Sequence, residues 1–159
     1  MVDLANRANV INAVVAWVVV FLTVKPERIK QLLPVSLVAI VVLFLVEQFL
    51  IYLGLIRFNA GFMKIAGIPL FHFLWAAAGG IFVMNFIKEE FGKKLPLILV
   101  FTFLAEIFQF FAVASGNFSL LGRYTYIVDI PLTFGALLVF VWLSEGLFGK
   151  RVYTTNENK

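Results

Sequence analysis

Four side chains in this sequence of 159 residues stand where hydrocarbon should surround them: Glu47, His72, Glu106 and Asp129. Each falls within a long apolar run, where an ionisable group is expensive and marks a functional candidate by default. Carboxylates and an imidazole in such a setting bind a cation or an amine, relay protons, or hold a polar lipid head group. Gln48, Gln109, Asn85 and Thr102 are polar companions on the same runs. Thr102, Glu106 and Gln109 recur at i, i+4 and i+7, which is one face of a helix. Pro69 precedes His72 by three residues and Pro131 follows Asp129 by two. A proline inside a span frees a carbonyl one turn earlier and bends the helix, so each is expected to help open a polar pocket.

Much other chemistry is excluded. A lone histidine with three separated acids is a thin metal site, and no helix carries a two-histidine motif, so no metal is expected. No G-x-S-x-G, G-x-x-x-x-G-K-[ST] or G-x-G-x-x-G pattern occurs, and neither Ser115 nor Ser119 sits in a nucleophile motif. Cysteine is absent, which removes disulfides, thiolate ligands and cysteine nucleophiles. The sequence leans away from an enzyme without settling it, and no cofactor is expected. A lipid-modifying enzyme with Glu106 or His72 as general base ranks last, because no nucleophile or metal motif supports it.

These residues have to be positioned by elements that suit lipid. The chain is 62% hydrophobic and only 14% charged, with a mean hydropathy of +1.00, against roughly half and a quarter for soluble domains. A water-soluble enzyme, a disordered chain and a secreted disulfide scaffold are excluded. Five apolar segments, near 10–24, 32–56, 62–87, 95–115 and 126–148, are each expected to cross the membrane. No run of alternating strands supports a β-barrel, and helices are the other way to satisfy backbone groups in lipid. The fold class expected is all-α, a polytopic integral membrane protein of five transmembrane helices in one domain over 1–159. Ala76, Ala77, Ala78, Gly79 and Gly80 form a small-residue patch suited to close helix approach.

Charge order sets an expected topology. Arg7 precedes the first span while Lys25, Arg28 and Lys30 follow it, and no A-x-A site ends it, so the span is expected to be retained rather than cleaved. Lys25, Arg28, Lys30, Lys88, Lys93, Lys94, Lys150, Arg151 and Lys159 fall on one side; Arg7, Arg57, Lys64 and Arg123 fall on the other. The richer side is assigned to the cytoplasm of a plasma membrane, with the N-terminus outside and the C-terminus inside. The net charge of +4 then reads as topology plus contact with anionic lipid, not as nucleic-acid binding. Glu145, a turn from the end of the last span, is expected to reach water by snorkelling. The tail after Phe148 is expected to be short and frayed. An odd number of spans without an internal repeat makes an inverted-repeat transporter improbable without a second copy or another subunit.

Depth groups the buried polar residues. At about 1.5 Å per residue from the outer ends of their spans, Glu47 and Glu106 lie about 13 Å down, His72 about 10–15 Å, Gln109 about 9 Å and Asp129 about 5 Å. All fall in the same half of the bilayer although the helices alternate in direction, and one shared pocket resolves the expense for all. The competing reading is interhelical glue, at about 0.6 kcal/mol per residue on average. It weighs most for Glu47, which has no motif around it, and for Asp129, shallow enough to pair with Arg123 at the interface. The nineteen phenylalanines read as lipid-facing and packing residues, and Trp17, Trp75 and Trp142 are too scattered to define a box.

Residues 69 to 140 resemble the VanZ-like family of small envelope membrane proteins. The resemblance rests on His72 within Pro-Leu-Phe-His-Phe-Leu, on Glu106-Ile-Phe-Gln109, and on Gly122-Arg123 followed six residues later by Asp129 and then by Thr133-Phe134-Gly135. Thr133 stands where the family has asparagine, Gly135 falls one position early, and the linker from Gln109 to Arg123 is longer than the family's. The chain also resembles uncharacterised five-span proteins of spore-forming bacteria, with a basic loop after span one and a glutamate in span four. The VanZ-like resemblance implies an envelope role connected with resistance to lipid-tailed glycopeptide antibiotics.

The function expected is binding of an amphiphile or lipid head group through His72, Glu106, Gln109, Arg123, Asp129 and, more weakly, Glu47. The alternatives are a proton- or cation-coupled transporter or channel subunit relaying through Glu106 and His72, and a membrane scaffold subunit. Expected partners are membrane lipid, a lipid-linked or amphiphilic ligand, and a second copy or a partner membrane protein.

Overall fold

The computed structural model describes residues 2–153, with side chains from Arg7 onward; the tail at 154–159 lies outside the described residues. The chain is mostly helical: α1 (Val2–Thr23), α2 (Pro26–Tyr52), α3 (Leu70–Phe86), α4 (Phe91–Ala114) and α5 (Tyr126–Phe148), with a closing 3-10 turn at Gly149–Val152. Three helices, α2, α4 and α5, are long and apolar enough to cross a membrane. The remaining apolar helices are shorter, Arg7–Thr23 and Leu70–Phe86; the 17 residues of α3 reach about 25 Å at about 1.5 Å per residue. Large apolar side chains such as Phe21, Leu22, Leu45, Phe110 and Leu147 point outward. Helices this apolar, with such a surface, give the chain a membrane location.

Helix α3 begins later than the third apolar segment of the sequence predicts. Residues 56–69 form strands rather than the first turns of a helix: β1 (Ile56–Phe58), β2 (Lys64–Ile65) and β3 (Ile68–Pro69). Strands β2 and β3 make a tight antiparallel hairpin across Ala66 and Gly67, with φ of 51° and 88°. Two consecutive positive φ values are what a two-residue hairpin needs and a helix forbids, and glycine takes the second without strain. Pro69 then caps α3 from outside with an extended backbone, so it starts the helix and bends nothing. Pro131, by contrast, lies inside α5 as expected.

The other strand, β4 (Phe118–Leu120), pairs antiparallel with β1, matching Ile56 to Leu120 and Phe58 to Phe118. The all-α expectation therefore gains a small β cap. It joins the two long loops, 53–69 and 115–125, at one end of the bundle, and the backbone bonds Asn59 N to Asn117 O (2.9 Å) and Leu121 N to Leu55 O (2.8 Å) extend the pairing. Backbone groups that would otherwise face lipid or the bundle interior are paired by it.

Around the bundle α1 packs on α3, α3 on α2, α2 on α5 and α5 on α4, while α4 touches α1 and α3 only lightly. The approach of α2 to α3 runs over the small-residue patch. A Cβ added to Gly80 would lie 2.6 Å from the Ala39 Cβ and 3.4 Å from the Phe140 ring, whereas one added to Gly79 meets nothing within 4 Å. Two apolar clusters hold the molecule. Leu50, Ile56, Phe58, Ile68, Phe73, Phe118 and Tyr124 pack under the β cap. Val20, Leu32, Val35, Ile81, Met84, Ile98, Val141 and Val152 pack toward the opposite end.

At that opposite end Glu145 is partly exposed and also paired: its carboxylate accepts from Lys94 Nζ at 2.5 Å and from the Tyr153 hydroxyl. Burial and the bond to Glu145 raise the Tyr153 pKa. Arg28 reaches the Arg151 carbonyl (3.1 Å) and that of Val152, so the 3-10 turn folds back onto α2 instead of trailing away. Arg28 and Lys94 are buried, unlike the water-facing edge cations that the charge pattern implied.

Candidate functional site

The polar residues meet in a cavity of about 430 Å³ lined by residues of all five helices and of the β cap. Five of the six residues singled out in the sequence line it: Glu47, His72, Glu106, Gln109 and Asp129. Each comes from the part of its helix nearest the cap: late in α2 and α4, early in α3 and α5. Toward the other end the same cavity is walled by Ala39, Val42, Gly80, Phe82, Phe101, Ala136 and Phe140. It is polar at the cap and apolar below.

The polar end contains two bonded groups. His72 Nε2 lies 2.7 Å from Glu47 Oε1. The imidazole is stacked on Trp75 with centroids 5.4 Å apart, and Phe58 meets it edge-on at 5.1 Å. Trp75 follows His72 by three residues, so both lie on one helical face. The wide spacing of the three tryptophans in sequence concealed this pairing. Residue 44 joins the aromatic layer through Phe73, at 6.2 Å between Phe44 and Phe73.

The second group centres on Asp129. Its two carboxylate oxygens accept from the Gln109 amide and from the Tyr124 hydroxyl. Glu106 faces the Asp129 carboxyl and bonds the Thr133 hydroxyl. Tyr124, outside the helices, has its pKa raised by burial and by its bond to Asp129. Thr133 thus lies at the site as well. Asp129 is not paired with Arg123: Arg123 is exposed in the loop before α5 and is not among the lining residues. The loop 121–125 turns Tyr124 inward instead, and its phenol takes the place that a cation was expected to fill.

Some residues of the site escaped the spacing argument. Asn9 and Asn117 exchange amide bonds of 2.8 and 2.6 Å, and Asn9 also reaches the Ala60 carbonyl at 3.4 Å. They tie α1 to the cap at the mouth of the cavity, and Asn12 lines it beside them. The i, i+3 spacing of Asn9 and Asn12 in an otherwise apolar run was a usable signal; Asn117, in a loop, offered none. Thr102 shares a face with Glu106 but is fully buried and donates to Ile98 O at 2.9 Å, a bond within its own helix. Gln48 donates to Ala66 O at 2.7 Å and steadies the hairpin.

Two carboxylate oxygens at the cavity, Glu47 Oε2 and Glu106 Oε2, are buried without a hydrogen-bond partner. Glu47 is 9% and Glu106 8% exposed. Among the described residues, no three His, Asp or Glu side chains are grouped to hold a metal ion. Compared with protein-family models, curated proteins and solved structures, the chain matches none.

Proposed function

We propose that the chain is a five-helix, multi-pass protein of the plasma membrane that binds an amphiphile or lipid head group in its internal cavity, in an envelope role of the VanZ-like kind. The observation that carries this reading is the shape of one space: about 430 Å³, within the range of ligand sites, polar under the cap and apolar below. An amphiphile has that same division. In this reading α1 and α3 complete the five spans, the cap faces outward, and the C-terminus is cytoplasmic, as the lysine and arginine distribution favours. The polar head then lies in the outer half of the bilayer, where lipid-linked envelope molecules are accessible.

A second reading draws on the Glu47–His72 contact at 2.7 Å. Two titratable groups in a membrane-embedded cavity are the parts of a proton or cation relay, and transport is the alternative function.

The test exploits Gly79, which lines the cavity and has open space at its Cβ position. Gly79→Leu places an isobutyl group at the cavity wall and leaves every polar residue in place. Protein extracted from native membranes and washed free of bulk lipid is analysed by mass spectrometry. Wild type retains a near-stoichiometric amphiphile and Gly79→Leu loses it; equal retention by both, with both folded, rejects the reading. Proton-driven flux in proteoliposomes, absent in His72→Ala, would favour the relay instead. Single cysteines placed at Lys88 and Gly122 in this cysteine-free chain report topology by their accessibility to impermeant reagents.

A further inference from the structure

Resting on the amphiphile reading, we infer that the head group bound under the cap is a cation, an ammonium carrying N–H donors. Three acids, Glu47, Glu106 and Asp129, line the cavity, and among the described lining residues there is no lysine or arginine. Several of the side-chain donors nearby are already engaged. The Gln109 amide and the Tyr124 hydroxyl serve Asp129, Asn9 and Asn117 serve each other, and the imidazole of His72 serves Glu47.

Two acceptors beside them are left open. Glu47 Oε2 and Glu106 Oε2 have no partner, and the two residues are 9% and 8% exposed. A buried carboxylate oxygen without a donor is costly, so a built site of this kind is completed by what enters it. An anionic head would meet three acids, and an acceptor-only head would leave both oxygens unsatisfied. An ammonium supplies N–H donors together with the opposite charge, in bonds stronger than neutral ones. The tail follows the Ala39, Ala136 and Phe140 wall toward the other end of the bundle.

Three radiolabelled probes with the same chain, dodecylammonium, dodecanol and dodecanoate, are titrated onto the protein in phosphatidylcholine nanodiscs, with empty discs as background. Dodecylammonium is expected to bind saturably at one site per chain, at least tenfold more tightly than the other two. Glu47→Gln and Glu106→Gln each weaken dodecylammonium at least tenfold and weaken dodecanol much less, because only the amine loses an opposite charge. If dodecanol or dodecanoate binds as tightly as the amine, the cationic head is overturned while the amphiphile reading stands. If none of the three binds above background, both fall. The comparison among probes uses wild-type protein and so does not depend on the variants folding.

Discussion

Gly79 and Gly80 are adjacent, identical and in the same helix, yet an added methyl should move stability in opposite directions. At Gly79 the new Cβ has nothing within 4 Å, so Gly79→Ala brings only the helix-propensity gain, up to about 1 kcal/mol. At Gly80 the same gain applies, but the Cβ would sit 2.6 Å from the Ala39 Cβ, against 3.4–4 Å for ordinary contact. Neither atom can rotate away, because a Cβ is fixed to its backbone. Helices α2 and α3 must separate, and overpacking of this kind costs about 1–3 kcal/mol. Since propensity is common to both variants, their difference isolates the helix contact: Gly80→Ala should be less stable than Gly79→Ala by about 1–3 kcal/mol, or roughly 5- to 150-fold in the unfolding equilibrium. Ala39→Gly, which removes the opposing methyl, should recover much of the loss in the double variant. The assay is equilibrium unfolding in mixed micelles by titration with dodecyl sulfate, followed by circular dichroism and tryptophan fluorescence. Equal stability of the two alanine variants, or a more stable Gly80→Ala, would refute the close approach of α2 and α3.

Two other outcomes follow from the ends of the bundle. Lys94→Met should destabilise by about 3–5 kcal/mol, because it strands a half-buried carboxylate, and Lys94→Met with Glu145→Leu should be closer to wild type than Lys94→Met alone; the same titration checks both. At the cap, the raised pKa of Tyr124 belongs to the folded state, so its stabilisation is whole below the ordinary value of 10.0 and is lost as pH rises above it. Wild type should therefore lose stability above about pH 10, and Asp129→Asn should lower the Tyr124 titration midpoint seen by ultraviolet absorbance; an unchanged midpoint would contradict the Tyr124–Asp129 bond.

The sequence by itself determined the solvent and the polar set. With so few charged residues in an apolar chain, helices were the available way to satisfy the backbone, and α5 begins and ends where its apolar run does. Glu47, His72, Glu106, Gln109 and Asp129 were legible because an ionisable or amide side chain in an apolar run has few places to go. Their shared depth follows from helix rise alone, and they do line one cavity.

Tertiary structure decided what each of them touches. Hydropathy made residues 62–69 the start of a span, but it is blind to the positive φ of Ala66 and Gly67, which close a hairpin and shorten α3. Strand β1 pairs with β4 across more than fifty residues of chain, a contact with no local signature, and that pairing brings Phe58 and Asn117 over the cavity. Arg123 and Asp129 were close enough in sequence to pair, yet the loop presents Tyr124 to the acid and leaves Arg123 in the open. Glu145 lies near enough to an edge to be partly exposed, and the partners that fold onto it there, Lys94 and Tyr153, have no local signature. Periodicity reports which face of a helix is apolar. It does not report which neighbour that face meets, because loop geometry and close approach are properties of pairs of segments distant along the chain.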